Sequence, residues 1–400
     1  MIDRHDRTES HLCLEIRASY EHAQDEAGES EVLACLSFGI HKEGIVDFGI
    51  QLATSSHSWK VVKRAEELGF THAWFYDTQL LNADVFVAMA AAATQTSRIR
   101  LCTGVLIPSN RIAPVAASAL ASLNALAPGR IHFGVGTGFT ARRTMGLRAI
   151  TLERLGEYVR VVQGLLKGET VEWSAEGRSH KIRFLNPELE LINLHDPIPV
   201  HISAFGPRGR MLTAKLGAHW ITAMRGAQPA IATLAEMRKA WQEAGRHPKA
   251  LYATAFGGGC VLAEGEAADS PRAKARAGPA AAIVFHNKAE EQELGSIGFP
   301  TPPQFKTKFD AYGEIYREYQ PPDARYLSNH RGHLMFLRPE ERDIINADVI
   351  RAFTFTGTRA ELADGLRAMK AAGYSQFGMH IRTGHEIAML EDWVEVIARV

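Results

Sequence analysis

Residues 113–138 read APVAASALASLNALAPGRIHFGVGTG, and the parsing of this stretch decides the fold. Its first half is an Ala- and Leu-rich helical pattern with Pro114 in the first turn, where the missing N–H costs nothing. Gly129 follows as a stop signal. The second half, RIHFGVGTG over 130–138, is a short apolar run closed by alternating glycines, which predicts a buried strand. A helix that passes at once into a buried strand is a piece of a βαβ chain.

The same rhythm extends in both directions. Upstream, VDFGIQLA (46–53), HAWFYD (72–77) and RIRLCTGV (98–105) predict strands, separated by helices over 57–70 and 83–96. Downstream, TVEWSAEGRSHKIRFLN (170–186) predicts a β-hairpin turning near Glu176-Gly177. Strands then follow at 199–205, 219–224, 251–263 and 376–381, with helices at 207–217, 229–245, 361–374 and 385–400. The strands are apolar nearly throughout, as they are when helices cover a parallel sheet. Eight strands alternating with helices predict a (β/α)₈ TIM-type barrel with insertions, and an open doubly wound sheet is the alternative. Residues 1–43 are polar and charged and predict a weakly ordered N-terminal extension of a barrel domain spanning 44–400. Residues 264–350, with PTPP and QPPD, predict an irregular insertion.

Composition narrows the partners. The 400 residues hold 45 basic and 45 acidic side chains, which disfavours a phosphate-backbone partner. No window reaches the about 18 apolar residues of a membrane span, and the charged start MIDRHDRTES has no signal-peptide core, so a cytoplasmic protein is expected. Four cysteines, Cys13, Cys35, Cys102 and Cys260, are too scattered for a disulfide framework or a paired-thiolate metal site. Cys102 and Cys260 lie in apolar runs and read as buried thiols. No metal is expected.

Several places could carry chemistry. GVGTG at 134–138 misses the dinucleotide spacing GxGxxG and lies on the fourth strand. Gly136, Thr137 and Gly138 read either as a tight strand-to-helix turn or as a mouth kept bare for a planar ring. In SAFGPRGRM (203–211) a strand ends at Ser203, Ala204 and Phe205, Gly206 and Pro207 turn the chain, and a helix begins. Its free N–H groups, with Arg208 and Arg210, read either as a phosphate seat or as an ordinary βα loop with two solvated arginines. His330, Arg331 and His333 form an H-x-x-H segment that precedes the last strand and could lid the barrel, giving candidate substrate contacts. Trp74 and Trp220 are either stacking surfaces or core.

Taken in order, FGIQLA, AEELGFTHAWFYD, AATQTSRIRLCTGV, the quoted 113–138 stretch, IPVHISAFGPRGRMLTAKLGA and FTFTGTRAELADGLRAMKAAGYSQFGMHI resemble the luciferase-like flavin-dependent oxidoreductases. That family includes bacterial luciferase, alkanesulfonate monooxygenase and the deazaflavin-dependent methylenetetrahydromethanopterin reductases. The resemblance implies a flavin at the C-terminal ends of the strands and a homodimer. It further implies a bulge at Thr103-Gly104-Val105, with a cis peptide at Gly104–Val105. Asp77 is implied near the cofactor or, on a plainer reading, as a helix N-cap. Many relatives carry Asp-His there, whereas this chain has Asp77-Thr78. The expected activity is a monooxygenase using reduced FMN, supplied by a separate flavin reductase, and oxygen on a small organic substrate. Alternatives are hydride transfer with the deazaflavin coenzyme F420, whose anionic tail would want a groove built from Arg142, Arg143 and Arg208, and a non-catalytic flavin-binding barrel.

Overall fold

A computed structural model describes residues 46–296 and 301–400. The expected N-terminal extension, with Cys13 and Cys35, lies outside the described residues. Eight strands close into a barrel in chain order, every neighbouring pair parallel. They are β1 (Asp47–Leu52), β2 (His72–Phe75), β3 (Arg100–Thr103), β4 (Ile131–Val135), β5 (Val200–Ser203), β6 (His219–Ala223), β7 (Ala253–Gly257) and β8 (Gln376–His380). This is the TIM-type barrel, not the open sheet.

The 113–138 stretch shows why closure works. Helix Ala113–Leu126 turns Ala116, Ala117, Leu120, Ala121 and Leu123 inward, and methyl-sized side chains let helix and sheet approach closely. Its one buried polar residue, Asn124, is satisfied: Nδ2 donates to the carbonyls of Asn193 (3.3 Å) and Asp196 (2.9 Å), and Oδ1 accepts from Gly129 N (3.2 Å). The side chain thus ties the helix end to the loop that leads into β5 and to the turn that opens β4. Other helix ends are specified locally, by the Asp84 cap on Val85–Ala93 and by the Thr358–Glu361 capping box on Arg359–Ala372.

The hairpin forms as expected, Val171–Ala175 against Arg178–Ile182, with positive φ at both Glu176 (52°) and Gly177 (76°), as a tight two-residue turn requires. Two expectations need correction. The stretch 251–263 is not one strand: β7 stops at Gly257, and Val261–Leu262 pairs separately with Gly357–Thr358. A side chain at Gly259 would lie 1.9 Å from the Phe355 carbonyl, so the chain bends where two backbones cross. Nor is the segment 264–350 irregular. It carries helices Pro271–Ala289, Lys306–Glu318 and Ala347–Phe353, which build their own apolar cluster from Ala277, Ala281, Phe285, Phe309, Tyr312, Ile345 and Phe353.

At the N-terminal end of the barrel, the floor, lie His72, His132, His201 and His219. His201 Nε2 sits 2.9 Å from His132 Nδ1 and 3.3 Å from His219 Nδ1. Trp74 is fully buried above them, edge-on to His201 at 5.0 Å and to Phe256 at 5.1 Å. Trp220 is also fully buried and donates from Nε1 to the Ala204 carbonyl (2.8 Å). Both tryptophans are core. Cys102 and Cys260 are buried free thiols, and burial pushes both pKa values up.

Candidate active site

The mouth is formed by the C-terminal ends of the strands. Between Cys102 and Leu106 the third strand takes four steps while its partner takes three, from His132 to Val135. The extra residue makes a bulge at Thr103–Val105, and the Gly104–Val105 peptide is cis. The bulge pushes the Thr103 carbonyl to 2.1 Å from where a β-carbon at Gly134 would stand. Thr103 Oγ1 donates to the Gly134 carbonyl (2.7 Å). A β-carbon on Gly136 would meet Val105 Cγ2 at 2.9 Å and Ser203 Cβ at 3.5 Å. Three expected residues, Val105, Gly136 and Ser203, are therefore neighbours across β3, β4 and β5. The Thr137 carbonyl accepts from Ile150 N (3.0 Å), and Gly138, at φ +84°, starts the short helix Phe139–Arg143. Close backbone packing explains the glycines, and the surface they leave bare is a bed on which a planar ring can lie.

Just after β5 the Ala204 side chain is buried, and the Phe205 ring lies along Phe139 with centroids 6.4 Å apart. Gly206, in extended conformation, precedes helix Pro207–Leu216, and its Cα faces open space. Arg208 is exposed beside this helix N-terminus. Arg210 is not available to a phosphate: it donates to the Phe205 carbonyl (2.6 Å) and pairs with Glu236. Arg143 is not a groove cation either. It is buried, bonded to Asn287 Oδ1 (2.9 Å) and 3.6 Å from Glu290.

Asp77 is not the helix N-cap; Asp84 fills that role. The buried Asp77 carboxylate accepts from Ile107 N (3.0 Å), Asn110 Nδ2 (3.3 Å) and Arg111 Nη1 (2.9 Å). It holds the loop that follows the bulge.

The expected substrate contacts fall into two settings. Arg331 is exposed and stacks over Phe336. His330 and His333 are buried in a polar network under the helical insertion. His330 Nε2 pairs with Glu290 at 2.9 Å, and His286 Nε2 with Glu341 at 2.6 Å. Burial opposes ionisation of Glu341, but His286 and Arg338 outweigh it and bring its pKa to about 2. His333 Nε2 lies 3.1 Å from Thr140 Oγ1, which joins the insertion to the short helix after β4. These bonds anchor the segment, and of the pair His333 is the one bonded to the short helix after β4.

Three further residues have no motif to announce them. Tyr76 follows β2 and His380 ends β8, and the Tyr76 hydroxyl lies 2.5 Å from His380 Nδ1. Arg382 follows two residues later. Burial raises the Tyr76 pKa, with Arg382 pulling the other way, and burial together with Arg382 lowers that of His380 to about 3. Both groups are neutral at pH 7 and share one hydrogen bond, which places a hydroxyl proton where a substrate oxygen bonded to the pair would share it. His380 had a sequence signal, as a polar residue closing an apolar strand. Among the described residues no group of three or more His, Cys, Asp or Glu is placed to hold a metal ion, and no helix is long and apolar enough to cross a membrane.

The family model described as luciferase-like monooxygenase matches residues 54–376. The chain is 27% identical over 216 residues to a 5,10-methylenetetrahydromethanopterin reductase of Methanolobus tindarius, covering 52% of this chain and 64% of that protein. It is 30% identical over 201 residues to an F420-dependent hydroxymycolic acid dehydrogenase of Mycobacterium tuberculosis, covering 47% and 54%. The chain thus spans between half and two thirds of the length of these curated relatives. The solved coenzyme F420-dependent tetrahydromethanopterin reductase of Methanopyrus kandleri superposes with a TM-score of 0.66 over 88% of this chain and 99% of that one, at 19% identity. At that identity the likeness is one of fold.

Proposed function

Because the chain belongs to the luciferase-like monooxygenase family, we propose that it is an oxidoreductase of the deazaflavin branch, moving hydride between F420 and an organic hydroxyl or carbonyl compound. The observation that carries this reading is the Tyr76–His380 pair at the mouth. Hydride exchange at a carbinol carbon needs a partner for the hydroxyl proton, and two neutral, hydrogen-bonded groups supply one. The F420 dependence of the mycobacterial relative supports the same branch.

The residues present fit a flavin-type group. Gly136, Val105 and Ser203 form the bare bed, since any β-carbon at position 136 would crowd Val105. The N-terminus of helix Pro207–Leu216, with Arg208, suits a phosphate. When bound, the deazaflavin supplies or accepts the hydride. Asp77 keeps the β3 loop in place, Tyr76 and His380 hold or release a proton at the substrate oxygen, and the anchored insertion keeps water out.

Anaerobic equilibrium titration of the full chain with F420 and with FMN tests the reading. Binding of F420 at least tenfold tighter is expected. Tighter FMN binding, with oxygen consumed on adding reduced FMN, would return the protein to the monooxygenase reading.

A further inference from the structure

Several buried and half-buried arginines among the described residues have acids beside them. Arg111 pairs with Asp77 and Asp84, Arg143 with Glu290, Arg276 with Asp392 and Arg338 with Glu341. Arg382 departs from that pattern. Only 1% of it is exposed, and no acidic side chain among the described residues forms an ion pair with it. Its Nε donates to the Arg276 carbonyl (3.0 Å), its backbone N–H faces Met389 Sδ (3.4 Å), and its Nη2 is buried with no hydrogen-bond partner. Burial lowers its pKa only to about 10, so it is a cation at neutral pH. A buried, unpaired cation is among the costliest things a fold can hold, and it persists where something else supplies the anion.

The direction of the guanidinium identifies the place. Nη2 lies 3.8 Å from where a β-carbon on Gly258 would stand, and His380 Cδ2 is 3.5 Å and Ala280 Cβ 2.6 Å from the same point. The guanidinium therefore sits where helix Pro271–Ala289 covers the ends of β7 and β8. Gly258 follows β7, His380 ends β8 and Tyr76 follows β2, so the unsatisfied donor belongs to the mouth beside the proton-carrying pair. The phosphate seat after β5 is three strands away around the barrel. The two anion-favouring places are separate, and a cofactor phosphate held at one leaves the other for substrate.

We propose that Arg382 is a substrate-binding residue and that the substrate carries a carboxylate, held by Nη2, next to the oxygen that faces Tyr76 and His380. One free guanidinium edge matches a monoanion; a phosphate dianion would call for further donors. The substrate class is then a hydroxy or oxo acid. This rests on reading the mouth as the active site, and it names what that site accepts.

Thermal unfolding of the full chain is the test, with lactate, pyruvate and benzoate as probes, lactamide as the neutral match, inorganic phosphate as the other oxyanion, and sodium chloride at equal ionic strength. The carboxylates should raise Tm, and lactamide and chloride should not. Arg382→Met should raise the ligand-free Tm by roughly 2–4 °C, because an unpaired buried charge is removed, and should abolish the carboxylate response. Arg382→Lys should restore part of it. F420 titration of Arg382→Met should match the parent. A lowered Tm in Arg382→Met with the carboxylate response intact would make the residue structural and overturn the proposal. No shift with any carboxylate, or a shift with phosphate alone, would overturn the substrate class. F420 binding without a carboxylate response defeats this inference only; a carboxylate response without F420 binding defeats the hydride-transfer reading and leaves the site standing.

Discussion

Both ends of the barrel are lined with buried histidines, and they are built on different terms. At the floor, His132, His201 and His219 are hydrogen-bonded to one another, with Tyr252 against His219 at 4.8 Å and Trp74 closing the layer. No charge is needed there: burial holds the His201 pKa well below its usual value, and His219, His132 and His72 add to the effect. Under the insertion and at the mouth, histidines face ions. His286 lies on Glu341, His330 on Glu290, and His380 shares its bond with Tyr76 beside a cation that has no acid. The floor leaves neutral atoms without a hydrogen-bond partner, Trp74 Nε1 and His201 Nδ1, whereas the mouth leaves a charged one. A residue type alone therefore says little about function; the balance of charge around it says more.

The sharpest way to break this contrast is to mutate one end and assay the other property. Tyr76→Phe should lower kcat by about 10²-fold or more with little change in Tm, while His132→Leu should change stability and spare turnover; steady-state kinetics beside thermal melts decide. Gly136→Val comes next. Its branched side chain must displace Val105, which should cost about 1–3 kcal/mol in urea unfolding and abolish cofactor binding. Unchanged F420 titration in this variant would remove the cofactor bed from β4.

Acid should act through buried histidines at both ends, since burial depresses the pKa of His201 at the floor as well as those of His333 and His380 at the other end. His201 has its folded pKa depressed, so its stabilising contribution is complete above the unfolded value of 6.5 and is lost as pH falls below it, when the unfolded chain takes up a proton the folded ring refuses. Urea unfolding at pH 6.5 and pH 5 should differ by about 2 kcal/mol for each such ring, and His201→Leu should remove one ring's share of the slope. The smallest effects belong to the arginines after β5. Arg208→Ala should weaken cofactor binding several-fold without touching Tm, whereas Arg210→Ala, which frees the Phe205 carbonyl, should cost about 1 kcal/mol and leave binding nearly unchanged.

Much of the site's frame was legible in the chain. The bulge and the cis peptide at Gly104–Val105 follow from the family resemblance, and Val105, Gly136 and Ser203 do meet. The segment 264–350 was not legible as helix. Pro271, Gly278 and Pro279 lie within or at the start of a 19-residue helix that owes its existence to the apolar cluster it covers, not to local propensity. His330 and His333 were visible as a spacing, but spacing cannot show that Glu290 takes one of them and Thr140 meets the other. Arg143 and Arg210 looked like free cations for the same reason.

What the sequence determined by itself is periodicity: eight apolar strands alternating with helices admit a closed barrel because each helix must cover a sheet that has no other cover. Only the tertiary structure decided which polar groups have partners. Tyr76 and His380 are 304 residues apart in the chain, and Arg382 is distinguished by having no ion-paired acid among the described residues, which no local pattern can encode. Burial and charge balance depend on every neighbour at once, whereas secondary structure depends mostly on the next few residues.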